Sequence, residues 1–172
     1  MRRVLCALLL AAIVISCAAA AMTWKRVRLE SAGTISIPQS WKVLDAASSV
    51  TENAYGKGVS CRTLLSAEGA DASMTVLLYW PYSGENAQKF ASDIAETLRL
   101  RYGSKSRTRP GEMKIGSIRA SSVTYSIDDV NDQRVTAFTH DGKAYCMVSN
   151  YRHAEEYSFS KLLRNILSRW QF

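Results

Sequence analysis

Only two histidines occur in the 172 residues, His140 and His153. A closed zinc site takes three or four ligands, and His140, Asp141, Cys146 and His153 follow no zinc-binding spacing, so both histidines read as surface or hairpin-end residues. No Gly-x-Ser-x-Gly elbow, His-Glu-x-x-His helix or phosphate-binding glycine loop occurs, and Gly56-Lys57-Gly58 is only a flexible turn. The acidic stretch Asp128-Asp129-Val130-Asn131-Asp132 has neither the glycine nor the distal glutamate of a calcium loop counted from Asp129. No catalytic residue, metal or cofactor is therefore expected. Beyond residue 21 no apolar run escapes interruption by charges, which excludes a later membrane-spanning helix. A disordered chain is excluded as well, since 47% of residues are hydrophobic and 22% charged.

What is present begins at the N-terminus. Arg2 and Arg3 lead into an apolar run from Val4 to Ile15, and small residues follow. That order describes a secretory signal peptide. At ~1.5 Å per residue the run is too short to cross hydrocarbon comfortably, although Ala18–Ala21 would extend it. Two processing outcomes compete. Val14-Ile15-Ser16-Cys17 resembles a bacterial lipobox, and by that resemblance Cys17 carries a thioether-linked diacylglycerol and becomes the mature N-terminus. Ala19-Ala20-Ala21 offers an ordinary Ala-x-Ala cleavage site before Met22 instead. Residues 1–21 are thus an export segment, and residues 22–172 make one domain large enough for a real core.

The chain carries 22 basic and 15 acidic residues, and removing Arg2 and Arg3 leaves a balance of +5. Such a charge suits an anionic membrane or cell-envelope surface. It equally describes an ordinary soluble surface, and export removes nucleic acid as a partner. Cys6 leaves with the signal and Cys17 is the lipid candidate, so Cys61 and Cys146 remain. They could form a disulfide if their Cα atoms fall within ~7 Å. Equally, both could be small buried hydrophobes in strands.

Alternation predicts strands at Trp24–Leu29 and Thr34–Ile37, with Ser31-Ala32-Gly33 as the turn and Pro38 as the stop. Trp41, Val43 and Leu44 could fold back over the sheet, and residues 45–57 read as a loop. Val59–Leu65 and Met74–Tyr79 are strand-like around a turn at Glu68–Asp71. Ser83 could cap a helix over Asn86–Tyr102, whose stripe is Ala87, Phe90, Ala91, Ile94, Ala95 and Leu98, and Gly103 would end it. Residues 104–111 read as a basic linker, before strands at 112–115, 118–127 and 134–140, with 128–132 as a hairpin loop. Asp141-Gly142 predicts a tight turn into Lys143–Tyr151. A second helical stripe closes the chain at Phe159, Leu162, Leu163, Ile166, Leu167 and Trp170. This order predicts an α+β fold, a mainly antiparallel sheet with two packed helices.

Ile35-Ser36-Ile37-Pro38-Gln39-Ser40-Trp41 resembles the opening of PsbP-like domains, including DcrB-type bacterial lipoproteins, and Ile166-Leu167-Ser168-Arg169-Trp170-Gln171-Phe172 resembles their ending. The resemblance covers about residues 24–172 and implies a PsbP-like α/β/α sandwich, usually an accessory or assembly factor without catalysis. No catalytic residue is carried over.

Three functional readings follow. The leading one is an exported lipoprotein anchored at Cys17, a non-catalytic binding or assembly module facing the periplasm or the exterior. From Cys17 to Trp24 an extended tether reaches at most ~25 Å, so its partners would be membrane lipid, through the anchor, and a membrane-associated protein. The second is a secreted thiol-dependent hydrolase using Cys146 with His140 or His153. The third is a soluble periplasmic ligand binder released after Ala21. Lys105, Arg107, Arg109, Lys114 and Arg119 could meet lipid head groups, cell-wall polymers or an acidic partner, or simply form a charged loop. Trp80, Tyr82, Tyr151 and Tyr157 lie at element ends, where amphipathic aromatics often mark a binding surface.

Overall fold

Strand-forming alternation and tight turns build almost the whole molecule. The computed structural model describes residues 22–30, 32–44, 50–54, 59–80, 87–102 and 109–172. Cys17, Ser83, Tyr82, Gly103, Lys105 and Arg107 lie outside the described residues. Trp24–Leu29 (β1) and Gly33–Pro38 (β2) pair as an antiparallel hairpin, a two-stranded sheet of their own. Gly33, at φ +78, supplies the left-handed residue between them.

The main sheet contains Lys42–Leu44 (β3), Val50–Ala54 (β4), Val59–Glu68 (β5) and Ala72–Trp80 (β6). It continues, after the helix Ala87–Tyr102 (α1), with Arg109–Ile115 (β7), Ile118–Ser126 (β8), Asn131–His140 (β9) and Lys143–Arg152 (β10). A single 3₁₀ turn, His153–Glu155, leads into the last helix, Glu156–Ser168 (α2). The strand order is β3-β5-β6-β10-β9-β8-β7, with β4 also paired to β5, and every pairing is antiparallel. The α+β expectation holds. No helix among the described residues is long and apolar enough to cross a membrane.

Each face of the sheet has its own cover. Phe90, Ala91 and Ile94 of α1 pack on Val123, Tyr125, Val135, Ala137 and Cys146. On the other face, Phe159, Leu163, Ile166 and Leu167 of α2 share a core with Ile35 and Ile37 of β2 and with Met74, Phe138 and Met147. The sandwich is therefore α1, sheet, then α2 beside the β1–β2 hairpin. Alternation sends neighbouring residues to opposite faces. On β5 a bulge between Thr63 and Leu65 reverses that parity, so that Cys61 faces α1 and Leu65 faces α2.

Several boundaries differ from the sequence expectation. Residues 50–54 form β4 within what reads as a loop, because β5 supplies their pairing partner rather than their own polar side chains. β7 begins at Arg109, inside the expected linker. It is the edge strand, where Pro110 can sit without costing the sheet a central ladder bond. β9 begins at Asn131, so Asp132 is a buried strand residue and not loop. Asp141 (φ 48) and Gly142 (φ 69) form the expected two-residue turn.

α2 stops at Ser168, so Trp170 belongs to the tail beyond the helix. That tail returns to the hairpin. Thr34 and Gln171 exchange two backbone hydrogen bonds, at 2.7 and 2.9 Å, and the Trp170 Nε1–H donates to the Ala32 carbonyl at 2.7 Å.

Candidate functional site

Where β8 turns into β9 and β10 leads into α2, the face under α2 changes from apolar to polar. Ser122 pairs with Thr136 and Thr124 with Arg134, on the same side of the sheet as Ala120 and Phe138. All four polar residues are buried. Tyr151, paired with Asp132, completes the set from β10.

Arg134 lies at the centre, 9% exposed. Its Nε–H donates to Thr124 Oγ1 at 2.9 Å, and Nη1 donates to Ser160 Oγ on α2 at 3.1 Å. Nη2 is 3.5 Å from the Tyr151 hydroxyl and 3.8 Å from a carboxylate oxygen of Glu156. The guanidinium also lies 5.6 Å from the centre of the Tyr151 ring, within cation–π range. Burial raises the Tyr151 pKa, against the lowering influence of the Arg134 charge, so the phenol stays protonated at neutral pH.

Arg134 forms the base of an open groove of about 660 Å³ between α2 and the β7–β8 edge. Lys114, Arg119 and Arg164 bring further positive charge to its lining, against Glu112 and Glu156. Lys114 and Arg119 are directly opposed in the β7–β8 pairing. Like charges so placed repel. Gly111 keeps the floor open, since a Cβ there would approach Ser122 Oγ to 2.9 Å. The groove can donate hydrogen bonds and neutralise negative charge.

Beside the groove, the fully buried Asp132 accepts a hydrogen bond from His153 Nδ1–H at 2.9 Å, and the side chain of His153 stays 60% exposed. His140 lies at the other end of the β9–β10 hairpin, nine residues along β9 from Asn131, or about 30 Å. It stacks near Phe172, with ring centres 4.2 Å apart. The two histidines therefore cannot share a ligand. Among the described residues no three His, Cys, Asp or Glu side chains gather at metal-binding spacing. In the acidic loop, the side chain of Asn131 and the amides of Val130 and Asn131 donate to the Asp128 carboxylate and hold its pKa down. That carboxylate is thus occupied in shaping the turn.

Cys61 and Cys146 both face α1 as buried thiols. They are not bridged. Cys61 pairs with Tyr79 and Cys146 with Leu77, so β6 lies between them. Two inter-strand spacings put their Cα atoms at least ~9.5 Å apart, further than a disulfide spans without backbone movement. Cys146 also lacks the open setting that the thiol-hydrolase reading requires, being fully buried. Burial first, and the neighbouring Cys61 second, push its pKa far above the ordinary thiol range, and His140 lies about three strand positions beyond its β9 partner Ala137.

A pH dependence follows. The folded-state pKa of this thiol is raised, so its contribution is fully present below the unfolded value of about 8.5 and is lost as pH rises above it. Urea unfolding is expected to show up to ~1.4 kcal/mol of lost stability per pH unit from this group above pH ~9. Cys146→Ala should flatten that slope, and an unchanged slope would contradict the assignment.

The remaining sequence candidates divide. Lys114 and Arg119 line the groove, and Arg109 opens β7. Tyr157 is 81% exposed, whereas Tyr151 is buried, because β10 extends past it and Phe159 stacks on its ring at 4.4 Å. Arg134 was not visible as a site residue. Its partners come from β8, β10 and α2, and no local motif links them.

No family model and no curated protein matches the chain. Among solved structures, the chain is similar to cyanobacterial PsbP (CyanoP) from Synechocystis sp. PCC 6803, determined in solution. The TM-score is 0.62 at 10% identity, over 90% of this chain and 95% of that one. The likeness establishes a PsbP-like fold, as the residues at 35–41 and 166–172 imply.

Proposed function

We propose that this protein is an exported, non-catalytic binding or assembly module of the bacterial cell envelope, held at the membrane by a lipid on Cys17. The lipobox-like Val14-Ile15-Ser16-Cys17 carries this reading, placed as it is after a cationic start and a short apolar run. The PsbP-like fold supports the module half of it, since the resemblance implies an accessory role. The resemblance to DcrB-type lipoproteins belongs to the same proposal. With a tether of at most ~25 Å between Cys17 and Trp24, the domain would work against the bilayer and meet a membrane-associated partner.

The anchor is tested by growing cells with radiolabelled palmitate. The wild-type chain is expected to take up label and fractionate with membranes, and Cys17→Ala to lose both. Equal labelling of the two would overturn the anchor at Cys17, and a wild type that takes up no label would favour a soluble periplasmic binder cleaved after Ala21.

A further inference from the structure

The groove between α2 and the β7–β8 edge holds a cation whose N–H donors the fold leaves partly unused, while the buried Asp132, two residues away on β9, bonds to His153. A guanidinium carries five N–H donors. Arg134 commits two of them at ordinary length, both to neutral hydroxyls, Thr124 Oγ1 and Ser160 Oγ. Its contact to the Tyr151 hydroxyl is at the limit of a hydrogen bond, and its nearest carboxylate, Glu156, stands off at 3.8 Å. A buried charge ordinarily sits closer to its counter-charge than this. Arg164 on α2 adds positive charge to the lining, and Lys114, Arg119 and Glu112 border it from β7 and β8, alternating away from the α2-facing Met113 and Ala120. Lys114 and Arg119 are held as a repelling cross-strand pair. The volume, about 660 Å³, lies within the range of small-ligand sites.

We infer that this groove is a binding site for an oxyanion, a phosphate or carboxylate group borne by a small organic ligand or a lipid head group, with Arg134 as its anchoring cation. A planar guanidinium presents paired N–H donors to such a group, which a lysine in its place could not do. The hydroxyls of Thr124 and Ser160 hold the guanidinium through Nε and Nη1, so it is pre-positioned before ligand arrives. Glu156 is the resident competitor: an incoming anion takes over the charge that it now partly balances at long range. The site does not depend on how the N-terminus is processed.

Thermal unfolding of the full chain tests this, with inorganic phosphate compared against chloride at matched ionic strength. Binding only to the folded state raises the midpoint, by about 4 °C at ten times the dissociation constant. Gly111→Val leaves every charge in place but puts a side chain against Ser122 on the groove floor. It should keep a cooperative transition and lose the phosphate shift. Glu156→Gln should enlarge the shift, because the competing carboxylate is gone. A wild type that phosphate does not stabilise would overturn the site. So would an equal shift in Gly111→Val, which would mean diffuse attraction to a basic surface.

Vesicles containing about 30 mol % phosphatidylglycerol separate the two sources of the anion. Co-sedimentation that Gly111→Val removes assigns the groove to a lipid head group. A phosphate shift without co-sedimentation assigns it to a small dissolved ligand. Both support an oxyanion site.

Discussion

Trp170→Ala is expected to lower stability by about 4–5 kcal/mol, the upper end of the cost for removing a buried tryptophan. In a domain of this size that corresponds to a thermal midpoint lower by roughly 12 °C. Trp170 is 3% exposed although it lies past the end of α2. Its ring meets Phe138 edge-on at 5.2 Å and stacks with Phe172 at 5.7 Å. Its indole N–H satisfies the Ala32 carbonyl in the turn between β1 and β2. The same turn accommodates the tail only because residue 33 is glycine, since a Cβ there would run into the Gln171 backbone carbonyl. Trp170→Phe separates the two contributions: it keeps most of the apolar volume and orphans the Ala32 carbonyl, for about 1–2 kcal/mol. Urea unfolding of the three proteins measures both steps. A loss below ~1 kcal/mol for the alanine variant would mean that the tail is not what fastens the hairpin to the sandwich.

Arg134→Leu is the second large effect, a loss of about 3 kcal/mol, the lower end of the range for removing one partner of a buried charged network. The side chain is volume-tolerable, so the cost is polar. Thr124 and Ser160 lose their donor, the fully buried Asp132 loses the nearby positive charge, and α2 loses its link to the sheet at that end. Arg134→Lys keeps the charge but cannot make the same fork, and should fall between wild type and leucine. The midpoint of Arg134→Leu is expected to drop by about 8 °C. An unchanged or higher midpoint would show that the network does not hold α2 to the sheet.

Legibility in the sequence followed the periodic elements. Phe90, Ala91 and Ile94 of α1, and Phe159, Leu163, Ile166 and Leu167 of α2, are buried where their spacing puts them. Asp141-Gly142 set its turn through backbone chemistry alone. β4 was hidden because Glu52 and Asn53 have little strand character and interrupt Val50-Thr51, and pairing with β5 makes the segment a strand. The Pro110-Gly111 pair at the start of β7 looks like a linker until the strand is seen to lie at the sheet edge. For the cysteines, the β5 bulge decides which face Cys61 takes, and strand order decides what separates it from Cys146. Neither is written in residue spacing.

The groove shows the same limit in sharper form. Lys114 and Arg119 belong to a basic cluster in the sequence, and the structure places both in its lining. Arg134 passed as one strand residue among others, because a strand pattern does not say that Thr124, Tyr151 and Ser160 will meet there. β9 is buried on both faces from Asp132 to Phe138, and the polar run Asp132-Gln133-Arg134 beside Val135, Ala137 and Phe138 is the one trace of the groove in that strand's sequence.

Location remains the claim on which the proposed role most depends, and mass spectrometry of the intact protein isolated from its native membrane tests it directly. A chain beginning at Cys17 with the mass of a diacylglycerol on it, and with Cys61 and Cys146 as thiols, is the predicted result. A lipid-free chain beginning at Met22 would contradict the membrane-tethered account.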